Sequence, residues 1–301
     1  MRDKRALVAF LAIVLLAGGN GVAVRYSNHE LSPMWGATLR FAVSTAILLV
    51  MLLAWRISLP RGRALVGAVL YGLIGFGATF GLLYWALVDV GAGLAQIILA
   101  LVPLLTFGFA VLQGLERFAW RGLLGATVAL AGVAIVFRDQ VAANVPLVAL
   151  LAVVGGAACM AESNVVVKAF PRAHPLATNA VAMGAASLAL LALTLVVGDP
   201  MVLPSRPETW LALGYVSLLG SVAVFTLFVF VIGRWSASVT SYVMLLIPLV
   251  TVVLGAQLDN EAVTPAYFIG GPLVLAGVYL GAFGMPRWSP VRMRRRESET
   301  A

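Results

Sequence analysis

The chain is a succession of long apolar runs separated by short polar breaks. No Asp, Glu, Lys or Arg occurs in residues 6–24, 64–88, 90–115, 141–161, 173–198, 209–233, 235–258 or 262–286. Each run is near or above the roughly 20 residues that an α-helix needs to cross hydrocarbon. Two further spans, at about 34–55 and 118–137, carry one arginine each, Arg40 and Arg121. The pattern predicts an all-α integral membrane protein with ten transmembrane helices. A membrane β-barrel would instead need short segments of alternating apolar and polar residues, and these runs do not alternate. The basic start with an apolar stretch behind it also has the form of a signal peptide. It is read as a helix because it has a counterpart in the second half of the chain.

Composition sharpens this picture. Of 301 residues 62% are hydrophobic and only 11% charged, against about 25% charged in a soluble domain. Mean hydropathy is +1.02. The net charge of +8 has a topological origin. If the first span starts from the inside, 16 of the 20 Lys and Arg residues fall on that same side, and only Arg25, Arg138 and Arg206 on the other. That asymmetry places both termini in the cytoplasm, so nucleic acid is not needed to account for the charge. The lipid bilayer is then the partner, and a multi-pass protein of a bacterial inner membrane, working as a monomer, is expected. The tail 287–301, with "RMRRRE", anchors the topology or touches anionic headgroups. Cys159 is the sole cysteine, so one chain can form neither a disulfide nor a thiolate metal site.

The two halves repeat each other. Residues 64–137 laid over 209–282 at a constant offset of 145 give 16 identities in 74 positions without a gap. Composition alone accounts for roughly six or seven. Gly75 falls on Gly220, Phe80 on Phe225, Pro103 on Pro248, Thr106 on Thr251, Glu116 on Glu261, and LAGV at 130–133 on LAGV at 275–278. The first two spans of each half align as well, "NGVAVRY" with "SNVVVKAF" and "SPMWGATLRF" with "HPLATNAVAM". Residues 1–143 and 144–286 thus form two five-helix repeats. Because five is odd, the second copy enters the membrane inverted, an arrangement in which secondary transporters bind substrate between the repeats.

"SPMWGATLRFAVSTAILL", "LVPLLTFGFAVLQGLERF" and "GLLGATVALAGVAIVF" resemble the EamA branch of the drug/metabolite transporter superfamily. The second half repeats the pattern as "LIPLVTVVLGAQLDNEAVTPAYFIGGPLVLAGV", departing from it at Ala262 where the first copy has Arg117. The resemblance spans nearly the whole chain. It implies ten helices in two inverted repeats and export of small metabolites, with aromatic amino-acid exporters of the YddG type as the nearest kind.

Candidate transport residues are the polar and aromatic groups inside spans. Arg40 and Glu162 are the ionisable ones, and such groups are functional candidates by default. Arg40 has two readings, a functional cation or a snorkelling, helix-bracing arginine. Glu162 is either a proton relay or a hydrogen-bonded carboxylate near the cytoplasmic mouth. Asn20 and the Glu162–Asn164 stretch occupy equivalent places in the two halves, as do Gln96 and Ser241 beside Tyr242. Recurrence at equivalent places favours a shared central cavity, although interhelical hydrogen bonding is the alternative for each. Phe80 and Tyr84 lie with Phe76 on one helical stripe, as a substrate wall or as packing. Pro103 and Pro248 are either symmetric hinges or static kinks. The tryptophans fall near span ends and read as interfacial anchors.

A carrier of phosphorylated solutes should present several buried cations to its cargo. One off-centre arginine fits a neutral or zwitterionic solute better, with an organic cation drawn to Glu162 as the alternative. A passive channel for small solutes also remains open. His29 and His174 stand in loops on opposite sides with no accompanying catalytic cluster, so enzyme chemistry is not expected. No cofactor is expected either, and the glycine loop of an ATP site does not occur.

Overall fold

The computed structural model describes residues 3–87, 89–90, 92–138, 145–258 and 265–283. In a bilayer every backbone N–H and C=O must be satisfied inside its own segment, which leaves the helix as the default for these apolar runs. All regular elements among the described residues are helical. They are α1 (Lys4–Gly18), α2 (Asn20–Ser27), α3 (Pro33–Ala54), α4 (Arg63–Gly72), α5 (Thr79–Ala86), α6 (Ala92–Leu99), α7 (Val102–Leu112) and α8 (Trp120–Phe137) in the first half. The second half holds α9 (Leu147–Ala169), α10 (Pro175–Val197), α11 (Pro207–Ser217), α12 (Val224–Ile232), α13 (Ala237–Ser241), α14 (Val243–Leu258) and α15 (Pro265–Val278). Wider π-helical turns at Leu73–Ala78 and Leu218–Ala223 join α4 to α5 and α11 to α12, and a third follows α15 at Tyr279–Phe283.

Helix starts follow local chemistry. Proline, whose missing N–H costs nothing in a first turn, opens α3, α7, α10 and α11. The Asp3 carboxylate caps α1 by accepting from the backbone N–H groups of Arg5 and Ala6 at 3.1 and 3.2 Å. At the other end of α10, Gly198 takes φ 76°, a left-handed turn that glycine allows without a Cβ penalty.

Among the described residues, nine helical runs are long and apolar enough to cross a membrane, from Lys4–Val24 to Ala237–Leu254, and a shorter apolar run covers Pro265–Gly281. The tenth expected span, 262–286, is represented by that shorter run. Glu261, Ala262, the repeat boundary at 143/144 and the basic tail 287–301 lie outside the described residues. Leu53, Leu112 and Val196 are all at least 80% exposed. So many bare apolar side chains face outward that hydrocarbon, and not water, must be their solvent.

The two π-helical turns sit 145 residues apart, the offset of the sequence repeat. Contacts between α8 and α15 follow the same offset. A Cβ on Gly132 would come within 2.7 Å of the Gly270 carbonyl, and one on Gly277 within 2.6 Å of the Gly125 carbonyl. Adding 145 to Gly132 and subtracting it from Gly270 turns the first contact into the second. These contacts also make the two helices antiparallel. Without side chains at the seam the backbones meet directly, which is how helices gain van der Waals contact in lipid. The Gly277–Gly281 pair takes part in this seam, whereas Gly77 and Gly81 have looser surroundings, with nearest atoms at 3.6 and 3.2 Å.

Gly132→Val places a branched side chain against backbone, so it should destabilise the fold by about 1–3 kcal/mol or more. Gly108→Ala, with no atom within 4 Å of its new methyl group, should leave stability unchanged or raise it by up to about 1 kcal/mol through helix propensity. Thermal unfolding in detergent, followed by tryptophan fluorescence, separates the two.

Candidate functional site

The first span is interrupted where "GGN" places two glycines before Asn20. α1 ends at Gly18 and α2 starts at Asn20. The carbonyls loosened there are satisfied from the second half: the Tyr215 hydroxyl donates to Leu16 O and the Thr251 hydroxyl to Gly18 O, both at 2.9 Å. The break aims Asn20 at the second π-helical turn, where its Nδ2 donates to Gly220 O at 3.3 Å. Arg40, from the first half of α3, donates to the same carbonyl through Nη2 at 3.0 Å and through Nε to Ser221 Oγ at 2.7 Å. The residue is 3% exposed. Its guanidinium lies over the rings of Phe41 and Phe80 at 5.5 and 5.3 Å, with the Tyr84 hydroxyl alongside.

The rings continue as one cluster. Phe41 stacks on Phe76 at 5.3 Å, Phe76 meets Phe225 at 4.5 Å, and Phe80 meets Tyr84 at 6.0 Å. Asn20, Phe80 and Tyr84 therefore gather around Arg40, joining spans of both halves.

The other expected residues lie apart from this group. Glu162 accepts both of its bonds from Gln113 Nε2, at 2.8 and 2.9 Å, and Asn164 donates to the Thr106 hydroxyl at 3.3 Å. These bonds tie α9 to α7. Gln96 is half-buried on α6, which packs against α8 and α9. Ser241 is fully buried and bonds back to Ser238 O at 2.7 Å. The Tyr242 hydroxyl is spent on Gly122 O at 2.9 Å, wedging α13 against α8. Both side chains are buried where α13 and the break after it pack against α7, α8 and α9.

The prolines do not mark equivalent breaks. Pro103 opens α7 just after an interruption at Ala100 and Leu101, whereas Pro248 lies inside α14, six residues beyond the interruption at Tyr242.

The two ends of the bundle differ. At one end a cavity of about 340 Å³ opens between α4, α9, α10 and α12, with Gly67, Lys168, Phe170, Arg172, Phe230 and Arg234 in its wall. Lys168 Nζ donates to Ile232 O at 2.7 Å and Trp235 O at 2.6 Å, satisfying carbonyls that the end of α12 leaves open. Glu116 accepts from the backbone N–H of Ser238 at 3.0 Å and from its hydroxyl, so it caps α13.

The opposite end is latched. Glu30, in the loop before α3, accepts from the Ser205 hydroxyl and from the Arg206 N–H at 3.1 Å, with the Arg206 side chain 3.9 Å away. Trp35 Nε1 donates to Val202 O at 2.6 Å, and Met34 N–H to Asp199 at 3.2 Å. The Ser205 and Thr209 hydroxyls hold the Glu30 carboxyl down at about 2, below its usual 4.5. Sequence patterning missed this latch and the role of Gln113, since each joins loops or ends far apart in the chain. The Gly75/Gly220 match was the available signal for the two π-helical turns.

Comparison with known proteins fits this architecture. The profile of the EamA-like transporter family matches residues 4–138 and 147–282. The uncharacterized inner membrane transporter YedA of Escherichia coli (strain K12) is 25% identical over 290 residues, 94% of each chain. A probable terminal-alkyne amino-acid exporter of Streptantibioticus cattleyicolor is 27% identical, covering 90% of this chain and 88% of that protein. A probable amino-acid metabolite efflux pump of E. coli (strain K12) is 25% identical, covering 96% and 97%. One solved crystal structure shares the fold with a TM-score of 0.80 at 20% identity, over 92% of this chain and 96% of that one. The chain belongs to the EamA-like transporter family and is a membrane transporter, not an enzyme.

A carboxylate whose folded value is depressed stabilises its contacts above its ordinary value and loses that contribution as pH falls toward the folded one. The Glu30 latch should therefore hold from pH 8 down to pH 5. In a Cys159→Ala background, a cysteine at exposed Leu203 should react with maleimide at one rate across that range, after correction for thiol ionisation. Glu30→Gln should raise the rate several-fold at pH 7.

Proposed function

We propose that this member of the EamA-like family exports small zwitterionic or neutral metabolites, amino acids first among them, by alternating access. In this reading the two five-helix halves are inverted copies, both termini lie in the cytoplasm of a bacterial inner membrane, and the protein works as a monomer. The unequal ends carry the proposal. The cytoplasmic end holds the open cavity at Lys168, the outer end is closed by the Glu30 latch, and the group around Arg40 lies between them. A carrier caught facing inward has this form, because the same repeat interface must be open at one end and closed at the other.

The inverted arrangement is supported by the exchange of contacts between α8 and α15 at the repeat offset and by their antiparallel course. Orientation is supported by the charge asymmetry across the spans. The substrate class is supported by the aromatic and polar character of the Arg40 surroundings, and by two relatives named as exporters of amino acids or their metabolites. Asn20, Phe80 and Tyr84 then line the substrate's position. Gln96, Glu162, Asn164, Ser241 and Tyr242 act on it through helix position, while Pro103 and Pro248 serve as hinges.

Proteoliposomes preloaded with unlabelled phenylalanine or threonine should accumulate the labelled amino acid transiently, and empty vesicles should not. Uptake that neither saturates nor depends on internal solute would mean a channel. Exchange confined to an amphipathic cation would replace the amino-acid assignment.

A further inference from the structure

We infer that Arg40 is the anchor for a carboxylate on the transported solute, with the Phe76, Phe80 and Phe225 rings receiving its apolar part; this rests on the transport reading above and names the chemistry of its substrate.

The inference starts from an unbalanced charge. Arg40 is 3% exposed inside a membrane span, eight residues into α3, where a cation is costly and is normally paired. Its partners are a hydroxyl, a peptide carbonyl, a phenol and two phenyl rings. None carries a formal negative charge. No carboxylate among the described residues pairs with it, and the span carboxylate Glu162 is engaged by Gln113. A guanidinium offers five N–H donors in a planar fork. Nε and one donor of Nη2 are used, so the rest of the fork is left for the Tyr84 hydroxyl and a planar anion. Carboxylate is the group that this fork matches in two parallel bonds.

A purely structural role does not explain the residue. If a guanidinium were needed to hold a π-helical turn, the repeat-related turn at Leu73–Ala78 would need one too. In the alignment of "SPMWGATLRF" with "HPLATNAVAM", the position of Arg40 is taken by Ala182. There the backbone of Ala182 lies directly against Gly72, and Ser163 packs on Gly75 as Asn20 does on Gly220. One half thus holds its turn with small residues and the other spends a buried charge on it. The charge breaks the repeat symmetry at the one place where the ring cluster gathers, as a single oriented solute would require. The rings also narrow the cargo. A solute whose carboxylate meets Arg40 would lay its remaining carbon skeleton against Phe76, Phe80 and Phe225, which disfavours a second charge at that end.

The test is counterflow with wild type, Arg40→Gln and Arg40→Lys. The solutes are phenylalanine, its amide, phenethylamine and phenylpyruvate, with the melting temperature of each variant recorded. Wild type is expected to move the carboxylates at least tenfold faster than the amide or the amine. Arg40→Gln should abolish that preference by slowing the carboxylates, and Arg40→Lys, still cationic but without the fork, should keep a weakened preference. If Arg40→Gln does not fold, the narrowed preference of Arg40→Lys decides. A carboxylate preference that survives in Arg40→Gln, or a uniform slowing of all four solutes, overturns the inference. If wild type moves phenylpyruvate but not phenylalanine, in an Arg40-dependent way, the amino-acid reading falls and the carboxylate anchor stands. Transport of the amine or amide alone overturns the anchor.

Discussion

The Gly220 carbonyl joins the two halves of this protein. It receives Nδ2 of Asn20 and Nη2 of Arg40 from different helices of the first half. In a regular α-helix that oxygen would be directed along the axis to its own i+4 partner. A π-helical turn is wider, and such turns recur at functional sites because they re-aim single groups. The glycine matters as much as the turn, since a Cβ there would run into the Asn20 side chain. From this one acceptor follow the position of Arg40, the stacking of Phe41 and Phe80 around it, and the docking of α2 and α3 against α11.

Packing around the centre uses two different materials. Where the last helices of the halves cross, glycines let backbones touch, giving a contact that is the same seen from either side. Between α3 and α10 the contact is polar as well, with Thr38 and Thr194 hydroxyls 3.2 Å apart. The ends show no such equivalence, since one is tied by Glu30, Trp35 and Met34 and the other encloses a cavity. Equal seams and unequal ends together are what the proposed alternating access draws on.

Much of this was legible in the sequence, for identifiable reasons. Apolar runs expose the spans because hydrocarbon tolerates few alternatives, and the repeat appeared because glycine and proline positions are hard to vary once helices touch or break. Asn20, Phe80 and Tyr84, from two different spans, lie around Arg40. Arg40 was visible too, but its neighbours were not, since the Gly75/Gly220 match marks the turn at "LLGSVA" without saying which groups meet it. The Glu30 latch joins segments some 175 residues apart, a pairing that no local pattern carries. For Ser241 and Tyr242, polarity inside a span looks the same whether it faces a cavity or a neighbouring carbonyl. Pro103 and Pro248 share a register, yet the helix breaks beside them do not, because the break in the second half, at Tyr242, falls three to four residues earlier in the repeat.

The central claim is that the two ends open and close in alternation around one solute. Spin-label pairs test it most directly, one across the outer latch at Asn28 and Leu203, the other across the cavity at Ala64 and Arg172. Distances are measured by electron–electron resonance in nanodiscs with and without a transported solute. The account predicts that solute lengthens the outer distance as it shortens the inner one, in a single coupled change. Two distances that stay fixed, or that widen together, while the solute still crosses the membrane would contradict it.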